Sequence, residues 1–496
     1  MKMTRFSGVR SPPARHPPDK SIMNICLQSI FFKTVFFKAV ADQLEKAGHN
    51  VFWTATSLKW RQWLLCRGVS PGRILLLRRD DSAHIDPRTA EHARMIEALE
   101  ARTGLTVKKI FHMDRVVRQW PWTEAEKYYV YVVQKLNAFF NENAVEVVLG
   151  EATLSDEILA ALVCQANNID FYNLCTVRVP GDRFAFFKGY RHAEYERIAD
   201  DDAAEDYFDR AAELRQRLID GLKPDYWYWH NKVPRINYSF VARIWTKIRE
   251  ALVEAQTDAT VKPLSYHLVR ERQYLKPFRW LHLKLMPVFD EPRADESYLL
   301  YTLHKQPEAS IDVLGADFVN QYELIKGIAR QLPHDVMLYV KEHSHCLGDR
   351  TRAELMAIKR LPGVRLIDPF ADTHTLIKKA RAVITVSGTV AFEAGLHGKT
   401  AGTFAPMFFN RLSRVHHLRS VDDIGRLLEP RPDAGGLSRD DQRVLADILA
   451  NSCEGVIGDP LNVPLCMSDD NIDRVAAGCL KLLSALQARK RSGVTR

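Results

Sequence analysis

The sequence predicts an α/β protein with two doubly wound, Rossmann-like domains that face each other across a cleft. Apolar, strand-like segments alternate with amphipathic helical segments in two separate blocks of the chain, a pattern typical of parallel sheets covered by helices. The chain has 496 residues, of which 46% are hydrophobic, so it can bury more than one core. Such domains usually hold a ligand at the carboxyl ends of their strands.

The first block covers residues 22–190 and opens with a strand, an amphipathic helix and a second strand. Gly48 is expected to end that helix in a left-handed conformation. Ser155 is expected to cap a later helix, which carries Asp156 and Glu157 in its positive first turn. The period of the pattern predicts strands at residues 22–30, 51–56, 73–77, 145–149 and 171–177, and helices at 31–47, 88–102, 123–141 and 155–167.

The alternation stops at residues 191–294, which read as charged helices with aromatic clusters, notably at residues 225–230. We interpret this part as a helical insertion or linker. A second alternating block covers residues 295–420, and residues 421–496 are mostly helical by pattern, with a basic tail. The second block has predicted strands at residues 298–303, 336–340, 364–367 and 382–386, and helices at 321–331, 350–360 and 373–379.

Residues 1–21 form a basic, proline-rich lead that we expect to be disordered and that has no long apolar core typical of a secretory signal. Because strand-like sequence starts at Ile22, one hypothesis is that translation starts at Met23. No apolar run reaches the ~20 residues of a membrane helix. The eight cysteines form no Cys-x-x-Cys pair, which favours reduced thiols and a cytoplasmic protein.

The formal net charge of +9 is compatible with nucleic acid or an anionic lipid surface as a partner. No nucleic-acid-binding motif supports the first partner. Part of the excess charge lies in residues 261–290, where basic side chains interleave with aromatic ones. This basic patch is either a solvated helix face or a surface for a membrane or an acidic acceptor. Its basic residues are Lys262, Arg270, Arg272, Lys276, Arg279 and Lys284.

Four polar segments of the second block begin where a predicted strand should end. The strongest of them contains Ser387, Gly388 and Thr389, because a helix follows whose free amide hydrogens favour a phosphate group. Gly388 would let a phosphate approach the backbone closely. The competing explanation is ordinary helix capping. The four segments are residues 303–310, 340–345, 368–373 and 385–394.

Single residues in these segments and in the first block suggest roles in ligand binding or catalysis. Glu393 could accept two hydrogen bonds from a ribose diol, although a solvated helix residue has the same pattern. His343 could donate to a phosphate oxygen or stabilise a leaving group, although a lone loop histidine usually has no such role. Glu151 follows a first-block strand and could deprotonate an acceptor hydroxyl, or balance the dipole of the next helix. A further polar cluster, explained either by donor binding or by capping, consists of His304, Gln306, Glu308 and Ser310.

These segments resemble the capsule polysaccharide biosynthesis family, which includes the Kdo transferases that build the lipid-linked linker of bacterial capsules. The Ser-Gly-x-x-x-x-Glu pattern is also similar to UDP-N-acetylglucosamine 2-epimerases and to other GT-B glycosyltransferases. Many GT-B transferases of CMP-activated sugars have proline after the histidine, where this chain has Ser344. The resemblance is dense over residues 298–406 and is carried by His304-x-Gln306-Pro307-Glu308-Ala309-Ser310, Val340-Lys341-Glu342-His343, Asp372-Thr373 and Thr385-Val386-Ser387-Gly388-Thr389-x-x-x-Glu393-Ala394.

The resemblance implies a GT-B fold whose second domain holds a nucleotide-sugar and whose first domain holds the acceptor. By position, His343 would contact the donor phosphate, residues 387–389 would cradle it, and Glu393 would hold the ribose. The helix dipole, His343 and either Lys341 or Lys305 would neutralise the phosphate. The polar cluster at residues 304–310 would also bind the donor. No metal and no cofactor other than the nucleotide-sugar donor is implied, and CMP-Kdo is one candidate donor.

We therefore expect an inverting, metal-independent glycosyltransferase of surface polysaccharide biosynthesis, with Glu151 and His343 as its catalytic residues. It would act on a lipid-linked or glycan acceptor in the cytoplasm, at the face of the inner membrane, with no nucleic acid partner. Two alternatives stay open. One is a nucleotide-sugar epimerase of the UDP-N-acetylglucosamine 2-epimerase type, and the other is a non-catalytic export factor that binds a nucleotide-sugar or a glycan.

Overall fold

The computed structural model describes residues 22–200, 203–220, 238–264, 275–429 and 437–492. Three predictions lie outside these ranges: the basic lead at residues 1–21, the aromatic cluster at residues 225–230, and Arg270 and Arg272 of the basic patch.

The described residues form thirteen strands in two sheets, with helices between them. In chain order the strands are β1 (Asn24–Gln28), β2 (Asn50–Ala55), β3 (Ile74–Leu76), β4 (Val147–Gly150), β5 (Asp170–Thr176), β6 (Arg183–Lys188), β7 (Ser297–Thr302), β8 (Val336–Lys341), β9 (Val364–Ile367), β10 (Ala382–Thr385), β11 (Ala401–Thr403), β12 (Val415–His417) and β13 (Cys453–Glu454). The helices are α1 (Lys33–Lys46), α2 (Leu58–Leu65), α3 (Ala90–Thr103), α4 (Val107–Met113), α5 (Trp122–Glu142), α6 (Ser155–Ala166), α7 (Ala203–Asp206), α8 (Phe208–Ile219), α9 (Tyr238–Val253), α10 (Lys276–Leu285), α11 (Ala309–Asp312), α12 (Gln321–Gln331), α13 (Arg352–Lys359), α14 (Thr373–Lys379), α15 (Val390–Leu396), α16 (Gly425–Leu428), α17 (Arg439–Ala450) and α18 (Asp469–Ser492).

The first six strands of each domain follow the same order in their sheet. The first has the strand order β13-β6-β5-β4-β1-β2-β3, and the second has the order β12-β11-β10-β7-β8-β9. Neighbouring strands are parallel throughout the second sheet, whereas β6 pairs antiparallel with both β5 and β13 in the first. In both sheets the winding reverses between the first and the fourth strand, which is where doubly wound sheets bind ligands. The predicted fold class is confirmed.

The parallel strands are buried because helices cover both faces of each sheet. In the first sheet, Ile25 of β1 lies beside Val147 of β4, and Leu27 lies beside Leu149; all four side chains are buried. Every strand and helix predicted above begins and ends within two residues of its observed position. Continuous apolar runs gave these elements a clear signal, whereas the pattern missed the strands β6, β11 and β12 and the short helices α2 and α4.

The start of α6 differs from the prediction. Ser155 is the first helical residue, and Leu154 occupies the capping position before it. The Glu157 carboxylate accepts hydrogen bonds from the backbone N–H groups of Thr153 and Leu154, at 2.6 and 3.2 Å. Glu157 therefore satisfies the amide hydrogens just before the helix, and the N–H of Ser155, the first helical residue, donates to the Asp114 carboxylate at 2.7 Å. Asp156 stands in the first turn as expected.

The last part of the chain returns to the first domain. Strand β13 adds to the edge of the first sheet by pairing with β6, and α18 packs against α1. The Arg489 guanidinium forms an ion pair with the carboxylate of Glu196. The sequence pattern predicted only helices here, because a two-residue strand has no periodicity to detect.

The two domains also meet beside the ends of their sheets. The Arg118 guanidinium of the first domain lies 3.1 Å from the Asp312 carboxylate of the second, and Lys109 lies 2.7 Å from Asp317. The backbone N–H of Phe408 donates to the carbonyl of His192 over 2.7 Å. These contacts fix the α11 segment of the second domain against the first domain.

All eight cysteines lie in the described residues, and none of them forms a disulfide. Six are buried, Cys175 is partly buried and Cys66 is exposed. Within the described ranges, none of the helices combines the length and the apolar character needed to cross a bilayer.

Candidate functional site

A cavity of about 440 Å³ lies at the carboxyl edge of the second sheet. This volume falls in the range typical of small-molecule sites. The cavity, here called the second-sheet cavity, is lined by the loops after β7, β8 and β9 and by the start of α15 after β10. These are the four segments that the sequence places at strand ends. The lining residues are Thr302, Leu303, His304, Lys341, Glu342, His343, Ser344, Pro369, Phe370, Ala371, Asp372, Thr373, His374, Gly388, Thr389, Val390 and Glu393.

The loop between β10 and α15 is fixed by the imidazole of His304. Nε2 of this ring accepts the backbone N–H groups of Val386 at 3.2 Å and Ser387 at 3.4 Å, and lies 2.8 Å from the Thr385 hydroxyl. The neutral ring therefore carries its hydrogen on Nδ1. Burial and the nearby Arg350 charge lower the His304 pKa to about 4, so the ring is neutral at physiological pH. His304 holds the loop in place.

The backbone of His304 is fixed as well. The Gln321 side chain accepts from the His304 N–H at 2.7 Å and donates to its carbonyl at 3.1 Å, and Arg350 donates to the same carbonyl at 2.9 Å. Arg350 also lies 2.6 Å from the buried Glu342 carboxylate. The sequence pattern gave no sign of Gln321 and Arg350, because their role depends on contacts far apart in the chain.

The predicted cradle at residues 387–389 is only partly available to a ligand. The Ser387 hydroxyl donates to the Ser310 carbonyl at 2.5 Å, and the Gly388 N–H donates to the Thr385 hydroxyl at 3.2 Å. Thr389 starts α15 without a capping hydrogen bond from its side chain, so the capping explanation does not account for its hydroxyl. Gly388 and Thr389 line the cavity, whereas Ser387 does not.

Replacing Gly388 with alanine tests the close packing of this loop. A Cβ at Gly388 would lie 2.6 Å from the Thr385 hydroxyl oxygen and 3.5 Å from Cε1 of His304. Since both groups hold the loop, we expect the free energy of unfolding to fall by about 2 kcal/mol and ligand binding in the cavity to weaken. Chemical denaturation is the measurement. The control is Gly72→Ala, because a Cβ there meets no atom within 4 Å; equal stability of the two variants would contradict the account.

His343 presents a hydrogen-bond donor to the second-sheet cavity. Nδ1 of its ring accepts the backbone N–H of His345 at 3.1 Å, so the neutral ring carries its hydrogen on Nε2. Burial lowers the His343 pKa to about 3, with further contributions from His345, His304, Lys341 and Lys305. Of these neighbours, Lys341 and Lys305 carry a positive charge that an anionic ligand would offset, whereas His304 is neutral.

Lys341 and Glu393 are two of the charged side chains that line the cavity, and Glu342 and Asp372 also belong to its wall. Lys341 is buried at the end of β8, and its ammonium donates to the Pro369 carbonyl at 2.8 Å. Glu393 is partly buried in α15. Burial raises the Glu393 pKa to about 7. Among the described residues, no side chain or backbone group forms a hydrogen bond with the Glu393 carboxylate.

An aromatic ring completes the cavity. Phe370, in the loop after β9, lines the cavity and leaves 54% of its surface exposed. Its ring packs edge-on against Trp280 of α10, with 6.0 Å between the ring centroids. Asp372 in the same loop accepts the Thr375 N–H at 2.8 Å and caps α14. The sequence placed this loop at the site without assigning a role to Phe370.

Three of the predicted donor-binding residues have other contacts. The Gln306 side chain donates to the Asp312 carboxylate at 3.2 Å, and the Ser310 hydroxyl donates to the Glu308 carboxylate at 3.2 Å. None of these three predicted residues lines the second-sheet cavity, because the loop that carries them turns toward the contact with Arg118 of the first domain. Their contact with a donor stays a prediction.

A further cavity of about 320 Å³ lies at the carboxyl edge of the first sheet. We call it the first-sheet cavity. It is bounded by the loops after β1, β2 and β4 and by α9 with the residues that follow it. Its wall combines aromatic, acidic and basic side chains, among them Phe31, Phe32, Lys59, Trp60, Arg115, Asp156, Glu157, Lys247, Glu250 and Lys262.

The predicted base Glu151 lies near this cavity but does not line it. Its carboxylate forms an ion pair with Lys33. Although burial disfavours the Lys33 ammonium, the charge of Glu151 raises the Lys33 pKa above its ordinary value. Several carboxylates do line the cavity, among them Asp156 and Glu157. Burial, followed by the charge of Glu157, raises the Asp156 pKa, and burial with the charge of Glu151 raises the Glu157 pKa to about 7. In the described ranges, no cluster of three or more His, Cys, Asp or Glu side chains is arranged to hold a metal ion.

No family model matches the chain, and no curated protein sequence matches it. Solved structures give weak likenesses. A beta-Kdo 2,7-transferase of Thermosulfurimonas dismutans is 11% identical, with 70% of this chain and 89% of that one covered and a TM-score of 0.33. A UDP-GlcNAc 2-epimerase of Neisseria meningitidis bound to UDP-GlcNAc is 10% identical, with 86% and 98% covered and a TM-score of 0.24. A glycosyltransferase of Rickettsia africae is 10% identical, with 93% and 98% covered and a TM-score of 0.25. The two-domain architecture is given by the strand order of the two sheets.

Proposed function

We propose that this protein is a glycosyltransferase of bacterial surface polysaccharide biosynthesis, with a nucleotide-sugar bound in the second-sheet cavity. The observation that carries the proposal is the Glu393 carboxylate, which lines the cavity without a hydrogen-bond partner among the described residues. A partly buried carboxylate without donors costs free energy, as its raised pKa of about 7 indicates. A ligand with two adjacent hydroxyl groups, such as a ribose, would supply the missing donors.

Other parts of the cavity suit the rest of a nucleotide. His343 has an Nε2–H and Lys341 has an ammonium for a phosphate, and Gly388, Thr389 and Val390 at the start of α15 line the same cavity. The exposed ring of Phe370 offers a face on which a base can stack. The resemblance of the motifs to Kdo transferases makes CMP-Kdo the first donor to test.

The first-sheet cavity is the proposed acceptor site. Its aromatic rings suit the apolar face of a sugar, and its acidic and basic side chains suit hydroxyl and phosphate groups. The inverting mechanism needs a carboxylate that deprotonates the acceptor hydroxyl while the nucleotide leaves into the electropositive region around His343. We propose that this reaction takes place at the cytoplasmic face of the inner membrane.

Two variants decide which carboxylate is the base. Asp156 lines the first-sheet cavity and has a raised pKa, whereas one oxygen of Glu151 is already paired with Lys33. We expect Asp156→Asn to lower kcat by 10²-fold or more, the usual order of magnitude for loss of a general base, and Glu151→Gln to leave kcat within a few-fold. Steady-state kinetics with the identified donor and acceptor is the measurement. The reverse order of effects would restore Glu151 as the base.

Binding and turnover separate the proposal from its alternatives. Thermal unfolding with CMP, CMP-Kdo, UDP, UDP-N-acetylglucosamine and GDP identifies the nucleotide, since a ligand at ~100 times its Kd adds ~2.7 kcal/mol of stability. Release of free nucleotide only when a glycan or lipid-linked acceptor is present supports sugar transfer. Conversion of UDP-N-acetylglucosamine to its C2 epimer without an acceptor would instead show an epimerase. Binding without turnover would show a non-catalytic protein, and no binding of any nucleotide would reject the proposal.

A further inference from the structure

Helix α10 has two apolar faces, and only one of them is covered. Trp280 and Leu283 are buried in the core of the second domain. On the opposite side of the helix, Phe278, Leu281 and Leu285 are 57%, 54% and 73% exposed. Their spacing of three and four residues aligns them in one row, here called the exposed stripe. Single exposed apolar side chains are common, but a continuous row marks a contact surface.

The charges beside the exposed stripe are of one sign. The residues of α10 include two lysines, one arginine and one histidine and no acidic residue. Lys276 forms an ion pair with Asp349, and Arg279 donates to the Asp349 carbonyl at 3.3 Å, so these two hold the helix on the second domain. Lys284 is exposed next to the stripe, and its ammonium lies 5.6 Å from the centroid of the Trp280 ring.

An apolar row beside an exposed lysine, on a helix without acidic residues, is typical of helices that lie in the headgroup region of anionic membranes. We propose that the exposed stripe of α10 inserts into an anionic phospholipid bilayer and holds the protein on its surface. A protein partner of the same surface would be expected to tolerate acidic residues around the stripe, whereas α10 has none.

The position of the stripe connects this surface with the second-sheet cavity. Trp280, on the covered face of α10, packs against Phe370, which lines the cavity. A bilayer bound at the exposed stripe would therefore lie across α10 from the cavity wall at Phe370. Helix α9 has a similar exposed row, with Trp245, Leu252 and Val253, and lines the first-sheet cavity through Lys247 and Glu250. The membrane proposal rests on the exposed stripe of α10 and does not depend on the identity of the cavity ligand.

Vesicle cosedimentation of the full chain tests the proposal. We expect binding to vesicles of phosphatidylglycerol and phosphatidylcholine, and weak binding to phosphatidylcholine alone. Replacement of the three stripe residues, Phe278→Glu, Leu281→Glu and Leu285→Glu together, should reduce the partition coefficient by ~10-fold or more. The control is Leu461→Glu with Leu465→Glu, because both side chains are exposed elsewhere on the surface. This control should bind vesicles as the wild type does.

A second triple variant, with alanine in place of the same three residues, guards against misfolding and should also lose binding. Its unfolding temperature and its nucleotide response should equal those of the wild type, which separates membrane binding from donor binding. The proposal would be overturned if the wild-type protein did not sediment with the anionic vesicles. It would also be overturned if the stripe variants bound the vesicles as well as the control does. Lipid-free dimers of the wild type that become monomers in the stripe variants would also overturn it, because the stripe would then be a protein contact.

Discussion

Replacement of Glu393 with glutamine is expected to stabilise the protein near pH 8 and to abolish its response to nucleotides. Burial raises the Glu393 pKa from 4.5 to about 7. In the unfolded chain this carboxyl loses its proton near pH 4.5, whereas in the folded protein it keeps the proton up to about pH 7. The free energy of unfolding therefore has its full contribution from the protonated group below pH 4.5, and this contribution is lost as the pH rises to about 7. Above this window, the folded protein carries a poorly solvated charge that costs up to about 3 kcal/mol. Glutamine has no such charge.

Denaturation at two pH values measures this effect. Near pH 5 the free energy of unfolding of Glu393→Gln should be close to that of the wild type, and near pH 8 it should be higher by up to about 3 kcal/mol. The gain should come with a functional loss, since the amide cannot accept two strong hydrogen bonds from a ribose. The control is Glu323→Gln, an exposed carboxylate on α12 of the same domain, which should change neither property. If the Glu393→Gln variant keeps the full nucleotide-induced rise in unfolding temperature, Glu393 does not hold the ribose.

The elements around Glu393 could be predicted because parallel strands are continuous apolar runs. Each of β7, β8, β9 and β10 stands out in the sequence, and doubly wound topology brings their carboxyl ends to one edge. The position of the second-sheet cavity follows from this without any knowledge of side-chain contacts. The loops after these strands do line one cavity, as their order in the sequence predicts.

The direction of individual side chains could not be predicted, because it depends on partners that are distant in the chain. Ser387 has the sequence context of a phosphate ligand, but its hydroxyl is bound to the carbonyl of Ser310, 77 residues earlier. Thr385 belongs to the same motif and had no assigned role, although it connects Gly388 with the ring of His304. Glu151 follows a strand end as predicted, and its partner Lys33 is 118 residues away.

The same limit applies to the path of the chain after residue 421. The helical pattern there is correct for α17 and α18, but it contains no information on which domain these helices contact. The answer depends on the two-residue strand β13 and on the packing of α18 against α1. Such contacts join surfaces that are far apart in the sequence, and they depend on the shape of the folded domains. The periodicity of a single sequence contains no information on that shape.

Replacement of His343 with alanine is expected to weaken nucleotide binding by roughly 30-fold, which corresponds to about 2 kcal/mol for one hydrogen bond to a charged phosphate. The physical reason is the tautomer: Nδ1 accepts from the His345 N–H, so Nε2–H is the donor that the ring offers to a ligand. Calorimetric titration with the nucleotide found in the thermal screen is the measurement. The control is His334→Ala, because His334 is an exposed histidine just before the amino-terminal end of β8, the strand that His343 follows.

A third variant distinguishes hydrogen bonding from a merely structural role of His343. The side-chain amide of His343→Gln can donate an N–H, so this variant should recover part of the affinity that alanine loses. If His343 only supported the loop through the contact of Nδ1 with His345, glutamine and alanine would lower the unfolding temperature together and neither would act selectively on phosphate-bearing ligands. The decisive comparison is therefore between a nucleotide and the corresponding nucleoside. The alanine variant should bind the nucleoside as the wild type does and lose affinity only for the nucleotide, whereas an equal loss for both ligands would show that His343 does not contact the phosphate.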